Sequence, residues 1–360
     1  MIGSPWSCLS PRQQGLPTMS GTRWHASSAS WTPWDDAADS ELTPAQLAVR
    51  DSHRSVYDFR HRSLSETGDA DFFNGYERDR CPRCGSGRIQ RWGAAPGGVR
   101  RWRCSSCGRT FTPATGTIFE GRRLPVPDWV EFMCQAFSFE SLEAMTREDR
   151  RSGTTTAWWT AKLFAVLEGV QDGVVLSGEV QIDEKMHPLA AKDRAGGRAG
   201  LGAYSKDRIC IAVGCDDSGR SIMTGAGLGK LSKSRCWDAY GSHIERGSTL
   251  VHDMENSHSV LVERLGLTSV AYRSADLRDL DDAHNPLSRV NHMHFLLKEF
   301  MHRHSGFERD RIDDWLNLFS VIVNPPEDRL EKAAMVLDRA MTVPISLPYR
   351  EYYGNNASSE

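Results

Sequence analysis

Two C-x-x-C pairs, Cys81-Pro82-Arg83-Cys84 and Cys104-Ser105-Ser106-Cys107, constrain this chain more than any other feature, and 19 residues separate them. A two-residue spacing folds as a tight turn that points both thiolates at one ion. A second pair supplies the remaining corners of a tetrahedron with Zn–S of about 2.3 Å. Gly85 and Gly108 directly follow the pairs, where such a turn needs positive φ. Val99, Trp102 and Phe111 alternate around the second pair, as in the β-hairpin of a zinc ribbon. The sequence therefore predicts a structural Zn²⁺ held by Cys81, Cys84, Cys104 and Cys107 in a module over 76–119. Cys8, Cys134, Cys210, Cys215 and Cys236 have no partner spacing and are expected to be core or incidental thiols. The start of the chain has no basic n-region or apolar h-region, so its nine cysteines are read as metal ligands and thiols, not disulfides.

Charge is unevenly placed. The net charge is only −3 over 360 residues, yet the segment Glu77–Arg123 carries eleven arginines against Glu77, Asp79 and Glu120, a local net of +8. Such a concentration is the footprint of phosphate contacts. Arg100, Arg101, Arg103 and Arg109 flank the second cysteine pair and are the expected DNA contacts of the module. No apolar run approaches the ~18 residues of a membrane span, so a cytoplasmic, nucleoid-associated protein is expected.

The remaining organisation follows from periodicity. Residues 1–75, rich in Ser, Thr and Pro with Trp6, Trp24, Trp31 and Trp34 unspaced, read as a poorly ordered extension with a short helix near Pro44–Arg54; Met19 is a second candidate start. Residues 120–170 read as helical, over Pro127–Phe137 and Thr154–Leu167. They are expected to form a helix-turn-helix-like segment that offers Thr155 and Lys162 to DNA; the alternative is a plain helical linker. Residues 171–325 change to short strands (Val180–Asp183, a hairpin Ile209–Val213/Ser221–Thr224, Thr249–Asp253, Ser269–Tyr272) interleaved with helices His258–Leu265 and Leu287–His304. A meander followed by strand–helix alternation predicts an α/β fold with a mixed sheet flanked by helices. A flexible basic loop is expected over 186–205, and a C-terminal helix and tail over 326–360.

Asp183 and Asp253 each end a predicted strand. If the strands are neighbours, both carboxylates leave the same sheet edge within reach of one hard cation such as Mg²⁺ or Mn²⁺. Two such ions about 4 Å apart can activate a nucleophile and stabilise the leaving oxygen of a phosphodiester. Asn291 is the candidate third ligand, with His294 and Lys298 on the same helix face; the Lys298 ammonium could hold a phosphate. His252, His258, His284, His292, His294, His302 and His304 enrich the C-terminal half, but no H-x-H or H-x₃-H pairing comes with matched ligands, so no second zinc site is expected.

Cys81–Cys84, the run Arg101-Trp-Arg-Cys-Ser-Ser-Cys-Gly-Arg-Thr-Phe-Thr112 and Gly116-Thr-Ile-Phe119 resemble the N-terminal zinc ribbon of bacterial insertion-sequence transposases of the DDE superfamily. Val180-Gln-Ile-Asp-Glu184 is similar to their first catalytic strand, and Asn291-x-x-His294-x-x-Leu297-Lys298 to their last catalytic helix. The resemblance spans about 76–325. It implies an RNase H-like fold with an Asp-Asp-Asn triad of Asp183, Asp253 and Asn291, accompanied by Lys298. It also implies catalytic Mg²⁺ or Mn²⁺, cleavage and strand transfer at terminal inverted repeats, and homo-oligomeric assembly on DNA. The alternative expectation is a zinc-ribbon DNA-binding protein derived from such an enzyme and without catalysis.

Overall fold

The computed structural model describes residues 37–44, 46–48, 66–121, 126–149, 151–189, 206–277, 280–281, 283–304 and 309–356. The chain divides into two units, Met1–Arg62 and Ser63–Glu360. In the first, Thr43 and Gln46 exchange backbone-to-side-chain hydrogen bonds of 2.8 and 3.2 Å, a capping box at helical residues 44 and 46–48. The rest of the helix expected near Pro44–Arg54, and Trp6, Trp24, Trp31 and Trp34, lie outside the described residues.

The second unit begins earlier than the sequence suggests. A helix, α1 (Glu66–Asn74), precedes the cysteine module, and Phe73 is fully buried in the main core. The expected extension over 1–75 is therefore too long. Asn74 ties α1 to the module: its Oδ1 accepts from Arg100 N at 2.7 Å and its Nδ2 donates to Gly98 O at 3.1 Å. The module itself is a three-stranded antiparallel sheet, β1 (Ile89–Ala94), β2 (Arg100–Cys104) and β3 (Thr110–Phe111).

Three helices follow, α2 (Val126–Phe137), α3 (Leu142–Glu148) and α4 (Gly153–Leu167), with Ser141 and Ser152 capping the last two. Trp129 of α2 stacks on Trp159 of α4 with ring centroids 4.0 Å apart. Buried residues on α4 run from Thr156 to Leu167 around most of its circumference, so it is a core helix.

The larger sheet has the order β6 (Ser221–Leu228), β5 (Arg208–Asp216), β4 (Glu179–Pro188), β7 (Thr249–Asp253), β8 (Thr268–Tyr272). The first three strands pair antiparallel; β4–β7 and β7–β8 pair parallel. The expected mixed sheet flanked by helices is present. Helices α5 (Lys233–Tyr240) and α6 (Ser259–Leu265) cover one face, over Val180, Ile182, Cys210, Ala212 and Leu250. The short α7 (Ser274–Leu277) follows β8. On the other face, α8 (Ser288–Arg303), α9 (Ile312–Val323), α10 (Arg329–Thr342) and α4 share one core with Ile211, Val213 and Val251. A last helix, α11 (Tyr349–Asn356), places Tyr353 against the start of α4, where its hydroxyl donates to Thr154 O. Both faces of β5 are buried, which explains its unbroken apolar run Ile209–Val213. Residues 186–188, expected in a loop, continue β4, while 190–205 lie outside the described residues. Among the described residues no helix is long and apolar enough to cross a membrane.

The β5–β6 turn is organised by a buried carboxylate. Asp216 accepts from Ser218 N (3.0 Å), Ser218 Oγ (2.7 Å), Arg220 N (3.0 Å) and Ser177 N (3.2 Å), and pairs with Arg220 at 2.9 Å. Burial alone would raise its pKa, but these hydrogen bonds hold it below the usual carboxylate range. Asp216→Ala strands several of these donors and is expected to cost about 2–4 kcal/mol in urea unfolding at pH 7. Because the folded-state pKa is depressed, that contribution is present above pH ~4 and fades as pH falls further, so the gap between wild type and variant should narrow there.

Candidate active site and metal centres

In the cysteine module, backbone hydrogen bonds build two matching turns: Gly85 N donates to Cys81 O at 2.8 Å, and Gly108 N to Cys104 O at 2.9 Å. Both glycines have the predicted positive φ, 72° and 71°. The turns converge Cys81, Cys84, Cys104 and Cys107, with Sγ–Sγ distances of 3.8 Å for Cys81–Cys107 and 3.6 Å for Cys84–Cys104. A tetrahedron with Zn–S of about 2.3 Å has edges of roughly 3.8 Å. Backbone N–H groups of Cys107 and Ser106 aimed at Cys104 lower its thiol toward the thiolate a metal needs, while Cys84, despite a backbone hydrogen bond from Ser86, is pushed up by burial and the neighbouring thiols. The four residues thus fit and could hold a metal such as zinc. Trp102 and Phe111 stack beneath them, with centroids 5.9 Å apart.

The expected DNA contacts divide. Arg103 and Arg109 are exposed, and the Arg103 guanidinium lies 4.8 Å from the centroid of the exposed Trp92. Arg101 donates to Trp92 O at 3.2 Å, and Arg100 is paired with Glu77 at 2.6 Å. Arg101 and Arg103, two residues apart on β2, make a cationic face with Trp92 as its aromatic plate, whereas Arg100 turns to the other face of the strand, 5.7 Å from the Trp102 centroid. On α4 the expectation fails at Lys162. Lys162 is 2% exposed, donates to Ile118 O and lies 3.9 Å from the Trp158 centroid; burial lowers its pKa to about 8. Its ammonium faces the interior, out of reach of a phosphate. Thr155 is committed to the Ser152 cap, Oγ1 to Oγ at 2.8 Å. The expectation of Lys162 as a DNA contact therefore does not hold; at the start of α4 Thr154 is exposed and Thr155 half-buried.

The acidic pair does come together. In the parallel β4–β7 ladder Ile182 is opposite His252, so Asp183 and Asp253 are the next residues along neighbouring strands. Strands in a ladder lie about 4.8 Å apart. Gln181, two residues before Asp183 and on the same face, is buried and docks α8. Its Oε1 accepts from Arg289 N (3.1 Å) and Val290 N (3.2 Å) at the start of α8, while its Nε2 donates to Pro286 O (2.8 Å). That places the Asn291/His294 face of α8 over Asp183: His294 Nδ1 is 3.7 Å from Asp183 Oδ2, and the half-buried Asn291 sits one turn earlier. Lys298 is exposed further along α8, near enough for its charge to help lower the pKa of Lys185 after burial has done so.

Electrostatically, burial and the mutual repulsion of the acids outweigh the positive charges near them, such as Lys185 and His258. Burial first, then the charges of Glu184 and Asp253, raise the Asp183 carboxyl to about 7; Asp253 is also raised, mainly by burial. Closely spaced, desolvated carboxylates of this kind fit a hard divalent cation that would compensate them. The sequence reading missed the groups beside them. Glu184 Oε1 meets His258 Nε2 at 3.0 Å and the buried Tyr240 hydroxyl at 3.4 Å, and His258 Nδ1 lies 3.5 Å from Asp253 Oδ1. Burial alone would lower the His258 pKa, but the Glu184 hydrogen bond and the nearby carboxylates raise it. Glu184 follows Asp183 directly; the signal for its role was present in Asp183-Glu184, but no spacing links it to His258.

The raised Asp183 carboxyl gives a pH-dependent expectation. Its folded-state pKa lies above the unfolded value of about 3.9, so its ionisation opposes folding progressively as pH rises from ~4 to ~7. In buffer without divalent ions Asp183→Asn should melt like wild type near pH 4 and several degrees higher at pH 8. Millimolar Mg²⁺ should narrow the difference at pH 8 by stabilising wild type alone, read by thermal melts followed by circular dichroism.

No family model matches this chain, and no curated protein matches it.

Proposed function

We propose that this protein is a metal-dependent DNA strand-cleaving and strand-joining enzyme of the insertion-sequence transposase type, with Asp183, Asp253 and Asn291 as its catalytic residues. The observation that carries the reading is the register of β4 and β7, which sets Asp183 beside Asp253 under a helix docked by Gln181. The mixed sheet with helices on both faces is consistent with the RNase H-like fold that the resemblance implies. Mg²⁺ or Mn²⁺, when bound, would supply an activated nucleophile and charge stabilisation at a phosphodiester. The chain's own part is to hold the oxygen ligands. Asp183 and Asp253 offer carboxylates from one sheet edge, and Asn291 offers an amide oxygen from α8. His294, depressed to about 4 chiefly by burial, stays neutral beside Asp183 and adds no competing positive charge.

The cysteine module serves as the DNA-binding arm in this reading, through Arg101 and Arg103 around Trp92 and through the exposed Arg109. Element ends and target DNA are the partners, bound by a homo-oligomer in the cytoplasm at the nucleoid. Lys298, exposed on α8, would meet a DNA phosphate in this reading.

Purified full-length protein with Mn²⁺ is expected to nick supercoiled plasmid carrying the element's inverted repeats. Asp183→Ala and Asp253→Ala should each lower the rate by at least about 100-fold, and Asn291→Ala by at least about tenfold, all with DNA affinity retained in gel shifts. Binding without nicking, unchanged by Asp183→Ala, would establish a DNA-binding protein instead.

A further inference from the structure

On the side of the sheet opposite α8 lie two histidines that the catalytic reading does not use, His252 and His258, and they meet Asp253, which it does use. His252 and Asp253 end β7, and His258 closes the single 3-10 turn that follows, so all three come from one seven-residue stretch. His252 Nδ1 and His258 Nδ1 face one another at 3.1 Å, and His258 Nδ1 is 3.5 Å from Asp253 Oδ1. One ligand atom from each lies within 4.8 Å of the other two.

We propose that His252, His258 and Asp253 form a binding site for a borderline divalent transition metal, Zn²⁺ in the first instance, distinct from the cysteine module and from the Asp183/Asn291 side of the carboxylate pair. The spacing carries the first part of the case. A tetrahedral ion with bonds of about 2.0–2.1 Å has ligand–ligand edges of roughly 3.4 Å. Two of the edges here, 3.1 and 3.5 Å, bracket that value.

The second part is the outer shell. A metal-bound imidazole characteristically gives its other ring nitrogen to a carboxylate, carbonyl or hydroxyl, which fixes the tautomer and the ring plane. Both histidines have this support: His258 Nε2 meets Glu184 Oε1 at 3.0 Å, and His252 Nε2 meets Ser269 Oγ at 3.0 Å. Each ring therefore turns Nδ1 inward. Tyr240, fully buried, holds Glu184 from behind. His252 and His258 are 5% and 0% exposed, whereas the Asp253 side chain is 21% exposed and marks the open side.

The donor set decides the class of ion. Two imidazoles and a carboxylate suit Zn²⁺ and its transition-metal neighbours, while Mg²⁺ prefers oxygen ligands alone. Asp253 Oδ1 also accepts from Glu255 N at 3.1 Å, which leaves the oxygen a lone pair for an ion. The proposal is independent of the strand-cleavage reading except that Asp253 would serve both.

Metal counting tests it. Full-length protein loaded with Zn²⁺ and dialysed is expected to retain two equivalents per chain by plasma mass spectrometry, and one in His252→Ala and in His258→Ala. Asp183→Ala should retain two, because Asp183 is a catalytic ligand only. Loading with Co²⁺ adds a second readout. The first equivalent should show intense thiolate-to-cobalt absorption from the cysteines, and the second only weak d–d bands. One equivalent in wild type, or a second that persists in both histidine variants or disappears in Asp183→Ala, overturns the proposal. Should a histidine variant lose its cooperative melt, wild type decides: a second cobalt equivalent without thiolate absorption supports the site, and its absence rejects it. Zinc stoichiometry and plasmid nicking are separate readouts, so failure of either reading leaves the other standing.

Discussion

The hydrogen bonds of Gln181 hold the candidate catalytic groups in one place. This buried side chain on the central strand β4 accepts two backbone N–H groups at the start of α8 and donates to Pro286 O before it. Free N–H groups at a helix start must find acceptors, and a buried amide that lacks partners is costly. The pairing satisfies both requirements at once. Two residues along the same face of β4 is Asp183, and one or two turns along α8 are Asn291 and His294. Strand period and helix period are thus brought into register by one side chain.

Around this anchor the charges are arranged against the bare protein. Asp183, Glu184 and Asp253 crowd one edge, and burial keeps His252 and His294 neutral instead of pairing them with the acids. His258 is the exception, drawn toward Glu184 and Asp253. Adjacent residues on β4 point to opposite faces, so Asp183 and Glu184 divide the edge into an oxygen-rich side under α8 and an imidazole-rich side under α6. The two sides favour different ions, and Asp253 at the end of β7 lies between them.

The fold was largely legible because the sheet strands and the long helices have clean periods. Thr249–Asp253 is found at the expected bounds, and α8 differs by a residue at each end. The cysteine turns were legible because C-x-x-C spacing and the following glycine encode local geometry directly. What escaped was decided by packing. Lys162 was read as surface because a lysine in a helical segment usually is, but α4 is enclosed by α2 and the C-terminal helices, and the Trp158 ring with Ile118 O receives the ammonium. Helix α1 was hidden because its weak periodicity gives no stripe, although Phe73 is fully buried. The His252/His258 contact was hidden because a strand end followed by a 3-10 turn has no fixed period, so a six-residue separation gave no sign of proximity.

The most direct test of the central account is a Mn²⁺ titration of the zinc-loaded full-length protein, followed by electron paramagnetic resonance of the free ion. The account predicts tight Mn²⁺ binding in wild type that weakens at least tenfold in Asp183→Ala. It also predicts weakening in Gln181→Leu, whose side chain touches no ion and acts only by docking α8. Wild type without a tight Mn²⁺ site, or an Asp183→Ala variant that binds Mn²⁺ as wild type does, would contradict it.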